Sequence, residues 1–483
     1  MKRLLSALII AAAAFVACQK EETPAEEAAA PVLVNTSPAD GATGISGTTL
    51  DAVFTYDQNI KCTAEGQKGI KAEGGCTISK INAYGTALTV SLSGLEPGKT
   101  YTLSIAGGSV QGYKENQKAA AAATLTFTMK EKDPDPEPAK HYELNPTATL
   151  ANKNATKEAV KVYEYLLSQS GKKTLSGVQS QDTANNNEYL NTIYTRTGKH
   201  PAIAGYDFIF EHYSPTPASW SWKIDYSDMS APIEHWQKNG LVSYMWHWNV
   251  PTNEAAYIAG RDNADFSGWN FYSDKTKFDI RELLKEGTWQ HEYAIAEMDK
   301  VAGYLKILKD NNVPVLWRPF HEASGNIYSI WKGNAWFWWG YYGAEYCKQL
   351  WKLMYDRFTS VHGLDNLIWV WTIDYTAGAE ADALEWYPGD DCVDIVGCDI
   401  YADDTNAKHA WWQFLVDVTK GEKLVTVSEC GNIPSPDKCF EAGDAWSWFL
   451  VWSDDYALNT DEYWKSVTGS AKVLNRENLP SLK

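Results

Sequence analysis

The chain has 483 residues, enough for two or three domains, and its 44% hydrophobic and 22% charged content is that of a globular protein over most of its length. A formal net charge of −18 argues against nucleic acid or anionic lipid headgroups as the main partner and suits a neutral ligand better. The 22 tryptophans beside 27 tyrosines lean toward carbohydrate, because flat amphipathic rings stack on sugar faces.

The N-terminus, "MKRLLSALIIAAAAFVACQKEE", has a short basic region, an apolar stretch too short to span a bilayer, and a small residue before Cys18. This is the pattern of an export signal, here residues 1–17. "FVAC" resembles a bacterial lipobox, with Phe15 standing where an aliphatic residue is usual, which implies that Cys18 becomes the lipidated first residue. "QKEE" resembles the acidic signal that sends such lipoproteins to the cell surface in Bacteroidetes, implying an outer-membrane lipoprotein at the surface or the periplasmic face. No later stretch is long and apolar enough for a membrane span. Residues 18–31, polar and Ala-rich, read as a tether. Seven cysteines remain in an oxidising setting: Cys62 with Cys76 and Cys430 with Cys439 are plausible pairs, and Cys347, Cys392 and Cys398 complete an odd set with at least one free thiol. Their spacing does not resemble a zinc site, and no metal is expected.

Residues 32–130 alternate apolar and polar positions in "TLDAVFTYD", "ALTVSL", "TYTLSIAG" and "ATLTFTMK", between Gly, Pro and Asn turns, which predicts a small all-β domain. "SPADGATGI" and "LEPGKTYTLSI" resemble bacterial immunoglobulin-like domains. With no aromatic platform evident, this domain reads as a spacer. The proline- and charge-rich run at 131–144 reads as a semi-rigid linker.

From 145 to 483, apolar runs alternate with amphipathic helical patterns. The strand candidates are 174–180, 201–210, 240–250, 313–322, 366–374, 393–401, 423–431 and 446–454. Near-continuous apolar strands separated by helices imply a parallel sheet buried on both faces. Eight such units predict an α/β fold, a (β/α)8 barrel; a doubly wound open sheet is disfavoured because no Gly-rich phosphate loop follows the first strand.

In such a barrel the active site lies at the C-terminal ends of the strands. Those ends carry Asp207, His247, His321 with Glu322, Asp374, Tyr401, Glu429 and Trp452. Only two are glutamates, on the fourth and seventh strands, where they face each other across the mouth. Two carboxyl groups flanking a bond are what glycoside cleavage uses: ~5–5.5 Å apart for retention, ~6.5–9.5 Å for inversion. Glu322 lies among Trp317, Phe320 and "WFWWG", apolar walls that raise an acid's pKa, so it reads as the general acid/base. Glu429, open to hydrogen bonds with Tyr401 as a candidate donor, reads as the nucleophile. His321 shares Glu322's site only if the strand ends or bulges there. Asp207 and Asp374 read as residues that orient neighbours, and Arg318 as a buried guanidinium that needs a carboxylate partner.

Residues 145 to about 470 resemble the family-26 glycoside hydrolases, mainly β-mannanases, through "WRPFHEASG", "WFWWG", the "WHW" at 246–248, "CDIY" and "VSECGN". The resemblance implies double displacement with net retention, Glu322 as acid/base and Glu429 as nucleophile, no cofactor, and a β-mannan polysaccharide or oligosaccharide as substrate. It places His247, His321 and Tyr401 around the sugar on the non-reducing side of the cleaved bond. Trp452 becomes an aromatic floor, and Trp336 stacks on the sugar beyond the bond. One departure is the insertion "NIYSIWKGNA", carrying Trp331, between "HEASG" and "WFWWG". A glycanase for mixed-linkage glucan or β-1,3-xylan and a non-catalytic glycan-binding lipoprotein are the alternatives; a monomer is expected.

Overall fold

The structure, a computed structural model, describes residues 29–113, 118–131, 141–147, 149–180, 185–212, 224–328, 333–376, 384–452 and 457–483. Cys18 with the export signal and most of the tether, the linker core at 132–140 and Trp331 lie outside the described residues. The chain divides into two units, Met1–Pro138 and Ala139–Lys483.

The first unit is the expected sandwich. Leu33–Ser37, Thr49–Tyr56, Ala87–Ser93 and Thr77–Tyr84 make one four-stranded sheet; Ala42–Ile45, Ala123–Met129, Thr100–Ile105 and Ile70–Glu73 make the other. Period-two alternation turns Phe54, Val90, Leu103 and Phe127 into a shared core. Cys62 and Cys76 are half-buried free thiols, so the pairing read from sequence does not form here.

The second unit is a closed ring of eight parallel strands: β1 (Thr174–Gln179), β2 (Ile203–Asp207), β3 (Leu241–Met245), β4 (Val315–Arg318), β5 (Leu367–Asp374), β6 (Ile395–Ile400), β7 (Leu424–Cys430) and β8 (Trp448–Val451). Closure is direct, since β1 pairs with both β2 and β8. Every strand residue is buried, as expected for strands with helices outside and side chains filling the ring within. The helices include α1 (Glu188–Thr197), α2 (Ser230–Gln237), α3 (Trp289–Asp310), α4 (Ala344–Asp356), α5 (His409–Val418), α6 (Pro436–Ala442) and α7 (Asp461–Gly469). Their starts are written locally: Thr288, Ser435 and Thr460 each accept a backbone N–H of the first turn.

Three details differ from the sequence reading. The strands stop short of the apolar runs that suggested them, so β4 ends at Arg318 rather than Glu322 and β3 at Met245 rather than Val250. Residues 141–147, partly assigned to the linker, run along the barrel unit: Asn145 N–H donates to Gly421 O and Thr147 N–H to Glu422 O, both at 2.8 Å. Cys430, at the end of β7, and Cys439, in α6, are buried free thiols, not a disulfide. Among the described residues no helix is long and apolar enough to cross a membrane.

Candidate active site

Beyond β4 the chain leaves strand geometry at once. Phe320 and Glu322 sit at φ +50° and +51°, a left-handed conformation uncommon for bulky residues and stored mainly at functional sites. This break lets His321 and Glu322, consecutive in sequence, both face the barrel mouth. Glu322 N–H donates to Thr372 O of β5 at 3.2 Å, which pins the turn to the ring.

On β7 a bulge solves the same problem. Cys398 of β6 pairs with Val427, yet the next residue, Asp399, pairs with Glu429, so Ser428 is the extra residue. The β7–β8 register also slips between Val427 and Cys430. Strict alternation would send Ser428 and Glu429 to opposite faces. With the bulge, Ser428 hydrogen-bonds Thr372 inside the ring at 2.9 Å while Glu429 still reaches the site.

Carboxylate oxygens of Glu322, Glu429 and Asp399 all lie within 4.8 Å of one another, and all three residues are buried. Arg318 holds this concentration of charge together. Its guanidinium donates to Asp399 Oδ2 at 2.7 Å and to Glu429 Oε2, so the buried ion pair expected for Arg318 includes a member of the candidate catalytic pair. Tyr401 donates its hydroxyl to Glu429 Oε1. The Tyr401 residue is 41% exposed, yet its hydroxyl is sunk against Glu429, and that burial followed by the Glu429 charge raises it well above the usual tyrosine value. It therefore remains a donor. Glu429 thus has a donor on each oxygen. For Glu322, burial first, then the charges of Asp399, Glu429 and Asp374, hold its pKa well above the carboxylate range against the opposing pull of Arg318.

The histidines form a chain. His247 bonds Asp207 Oδ2 through Nδ1 at 2.6 Å, and its backbone N–H donates to Asp207 Oδ1 at 3.0 Å. With that proton on Nδ1, the His247 Nε2 accepts from His321 Nε2 at 3.2 Å. His321 is only 1% exposed, and burial lowers its pKa well below the usual value. It lies deeper than His247 and supports it. Asp374 accepts Ser324 Oγ at 2.5 Å and Thr376 Oγ1 at 3.0 Å, tying down the turn after Glu322.

Aromatic rings wall the site. Trp452, just past β8, has its ring 5.5 Å from that of His247, and Phe271 and Phe337 approach His247 at 5.1 and 5.4 Å. Trp336 is 37% exposed and lies over Gly325, three residues after Glu322. Within the insertion, Asn326 and Gly333 join through Gly333 N–H to Asn326 O at 3.2 Å, and Asn326 Nδ2 donates to Asn334 O at 3.0 Å. Asp399, Phe271 and Phe337 were not singled out from sequence. Asp399 shares Tyr401's face of the chain two residues on, which was the available signal.

The chain matches the family model "Glycosyl hydrolase family 26" over residues 151–478 and that of a "Bacterial Ig-like domain" over residues 27–129. A mannan endo-1,4-β-mannosidase of Thermothelomyces thermophilus is 36% identical over 340 residues, 68% of this chain and 63% of that protein. Mannan endo-1,4-β-mannosidase A of a Piromyces species is 33% identical over 349 residues, 70% of this chain and 51% of that protein. The match thus spans between half and two thirds of these curated relatives. Among solved structures, the family-26 domain of an endo-β-mannanase/endo-β-glucanase from Prevotella bryantii superposes with a TM-score of 0.61 at 35% identity, covering 69% of this chain and 99% of that one. A β-mannanase from a symbiotic protist of the termite Reticulitermes speratus, complexed with a gluco-manno-oligosaccharide, gives 0.58 at 31% identity, with 70% and 99% covered. On the extent of the family match, this chain belongs to glycosyl hydrolase family 26.

Proposed function

We propose that the protein is a retaining endo-β-1,4-mannanase acting on β-mannan, galactomannan and glucomannan. The observation that carries this reading is the Glu322–Glu429 pair at one mouth, with oxygens inside 4.8 Å. Inversion needs ~6.5–9.5 Å for an intervening water, so the shorter spacing favours direct attack. The naming of the relatives as mannan endo-1,4-β-mannosidases supports mannan as the substrate.

Glu429 attacks the anomeric carbon while Glu322, kept protonated by burial and its anionic neighbours, gives its proton to the departing oxygen. Once the glycosyl-enzyme bond forms, the Glu429 charge is spent, which removes one cause of Glu322's raised pKa. Glu322, its proton already given to the leaving oxygen, then stays ionised and takes the proton of the water that releases the sugar. Arg318 and Tyr401 fix the Glu429 oxygens, and Asp207 sets the His247 ring for a sugar hydroxyl. Glu429→Ala and Glu322→Ala are each expected to abolish reducing-sugar release from galactomannan with an unchanged circular dichroism spectrum; near wild-type rates in either variant refute the assignment. A panel adding lichenan and β-1,3-xylan separates mannanase from the related glycanases.

The N-terminal pattern supports export and lipidation at Cys18, and so an outer-membrane location. Cys18→Ala should release the protein from the membrane fraction; retention there counts against an anchor at this residue.

A further inference from the structure

The two most exposed large apolar side chains among the described residues lie in the Ig-like unit, far in sequence from the barrel: Tyr84 at 84% and Tyr113 at 69%. They are 29 residues apart in the chain, yet they flank one backbone position. Ile60 N–H donates to Gly85 O at 2.8 Å, Ile60 pairs with Gly112, and Tyr113 N–H donates to Asn59 O at 2.9 Å. The two tyrosine backbones therefore sit about two strand spacings apart, ~10 Å. Ile60 is buried, so alternation turns Asn59 and, across from it, Tyr113 outward. On the other side, Asn82 and Tyr84 share the exposed face of Thr77–Tyr84.

The rings are thus set in polar surroundings: Asn59, Asn82 and Thr86 are all exposed beside them. An aliphatic protein interface offers no use for amides between rings, and with eight lysines against seven acidic residues over 32–130 the unit has almost no net charge to draw a nucleic acid backbone. Two exposed rings about two strands apart, with neutral amides between and beside them, suit a neutral, extended chain of flat rings bearing hydroxyls. We propose that Tyr84 and Tyr113 form a stacking platform on the Ig-like unit that holds an extended β-linked hexopyranose chain. The choice of mannan as that chain rests on the function proposed for the barrel. The unit then adds a second point of attachment to polysaccharide, beyond the spacer role read from sequence.

The test uses the full chain carrying Glu429→Ala, so that polysaccharide is held and not cut. Its mobility is compared in native gels containing galactomannan, glucomannan, lichenan or xylan, with and without the added pair Tyr84→Ala and Tyr113→Ala. The platform predicts retardation several-fold weaker in the tyrosine variant on at least one polysaccharide, and its restoration by Tyr84→Phe with Tyr113→Phe. In the otherwise unaltered enzyme, the alanine pair should leave hydrolysis of short soluble oligosaccharides unchanged, which reports on the barrel separately. Loss of retention on lichenan alone upholds the platform and removes mannan as its ligand, whereas loss on xylan alone, a pentose chain, overturns the hexopyranose assignment. Equal retention of both proteins on every polysaccharide overturns it.

Discussion

Arg318 is the residue on which most of the site's charge converges, since it bonds Asp399 and Glu429 at once inside the ring. Removing it leaves two buried carboxylates without a counter-ion, a loss that typically costs ~3–5 kcal/mol. Arg318→Ala should therefore lower the urea unfolding free energy by roughly that amount. It should also cut kcat by on the order of 10²-fold, as when one preorganised donor is lost from an active site. A variant with normal kcat and lowered stability would reduce Arg318 to a structural role. The need for a carboxylate partner is legible from a lone arginine in an apolar run. Its identity is not, because Asp399 lies 81 residues away and only the closed ring brings them together.

At the level of elements, two departures from regular strand geometry make the site: the break after Arg318 and the bulge at Ser428. Neither is visible in the sequence, since a bulge is a relation between neighbouring strands and "VTVSEC" reads as plain alternation. The eight strand units and both glutamates are legible, because a polar residue closing an apolar run stands out. The strand ends are not, as Trp246, Trp248, Val250 and Phe320 carry the apolar run past the last strand residue into the buried rim of the mouth. The turn after Glu322 also depends on Gly325, where a Cβ would come within 2.1 Å of the Trp336 ring. Gly325→Ala should displace that ring at a strain of about 1–3 kcal/mol, raising KM for mannopentaose severalfold more than it lowers kcat. An unchanged KM would separate Trp336 from substrate.

For the whole molecule, the balance of buried acids and histidines sets how stability answers to pH. Burial first, then neighbouring charge, raises Glu322; burial also raises Asp399, and it pushes Asp394 up to about 6. An acid with a raised folded value holds its proton more tightly when folded. Its contribution is complete below the unfolded value, about pH 4, and is lost as pH rises through the folded one. His235, pushed down to about 3 by burial, runs the other way: its contribution is complete above about pH 6.5 and lost as pH falls through 3. Glu322→Gln imitates the protonated acid at every pH, so it should unfold at higher urea than the wild type at pH 8, with the gap closing at pH 5. An equal gap at both would show that Glu322 is ordinary in its titration. The two-unit plan and the order of the units are plain in the sequence from the switch between two-residue and helical periodicity. The proximity of Tyr84 and Tyr113 is not, because it arises from pairing across a third strand.

The neck between Asn326 and Asn334 has a practical meaning for variation at the barrel rim. A segment whose two ends already touch can be trimmed or lengthened at small entropic cost, leaving the flanking backbone where it was. Chain length between these ends is thus free to change while the acid on one side and the tryptophan on the other keep their stations, which makes this rim position a place where new contacts with branched polymers can be grafted.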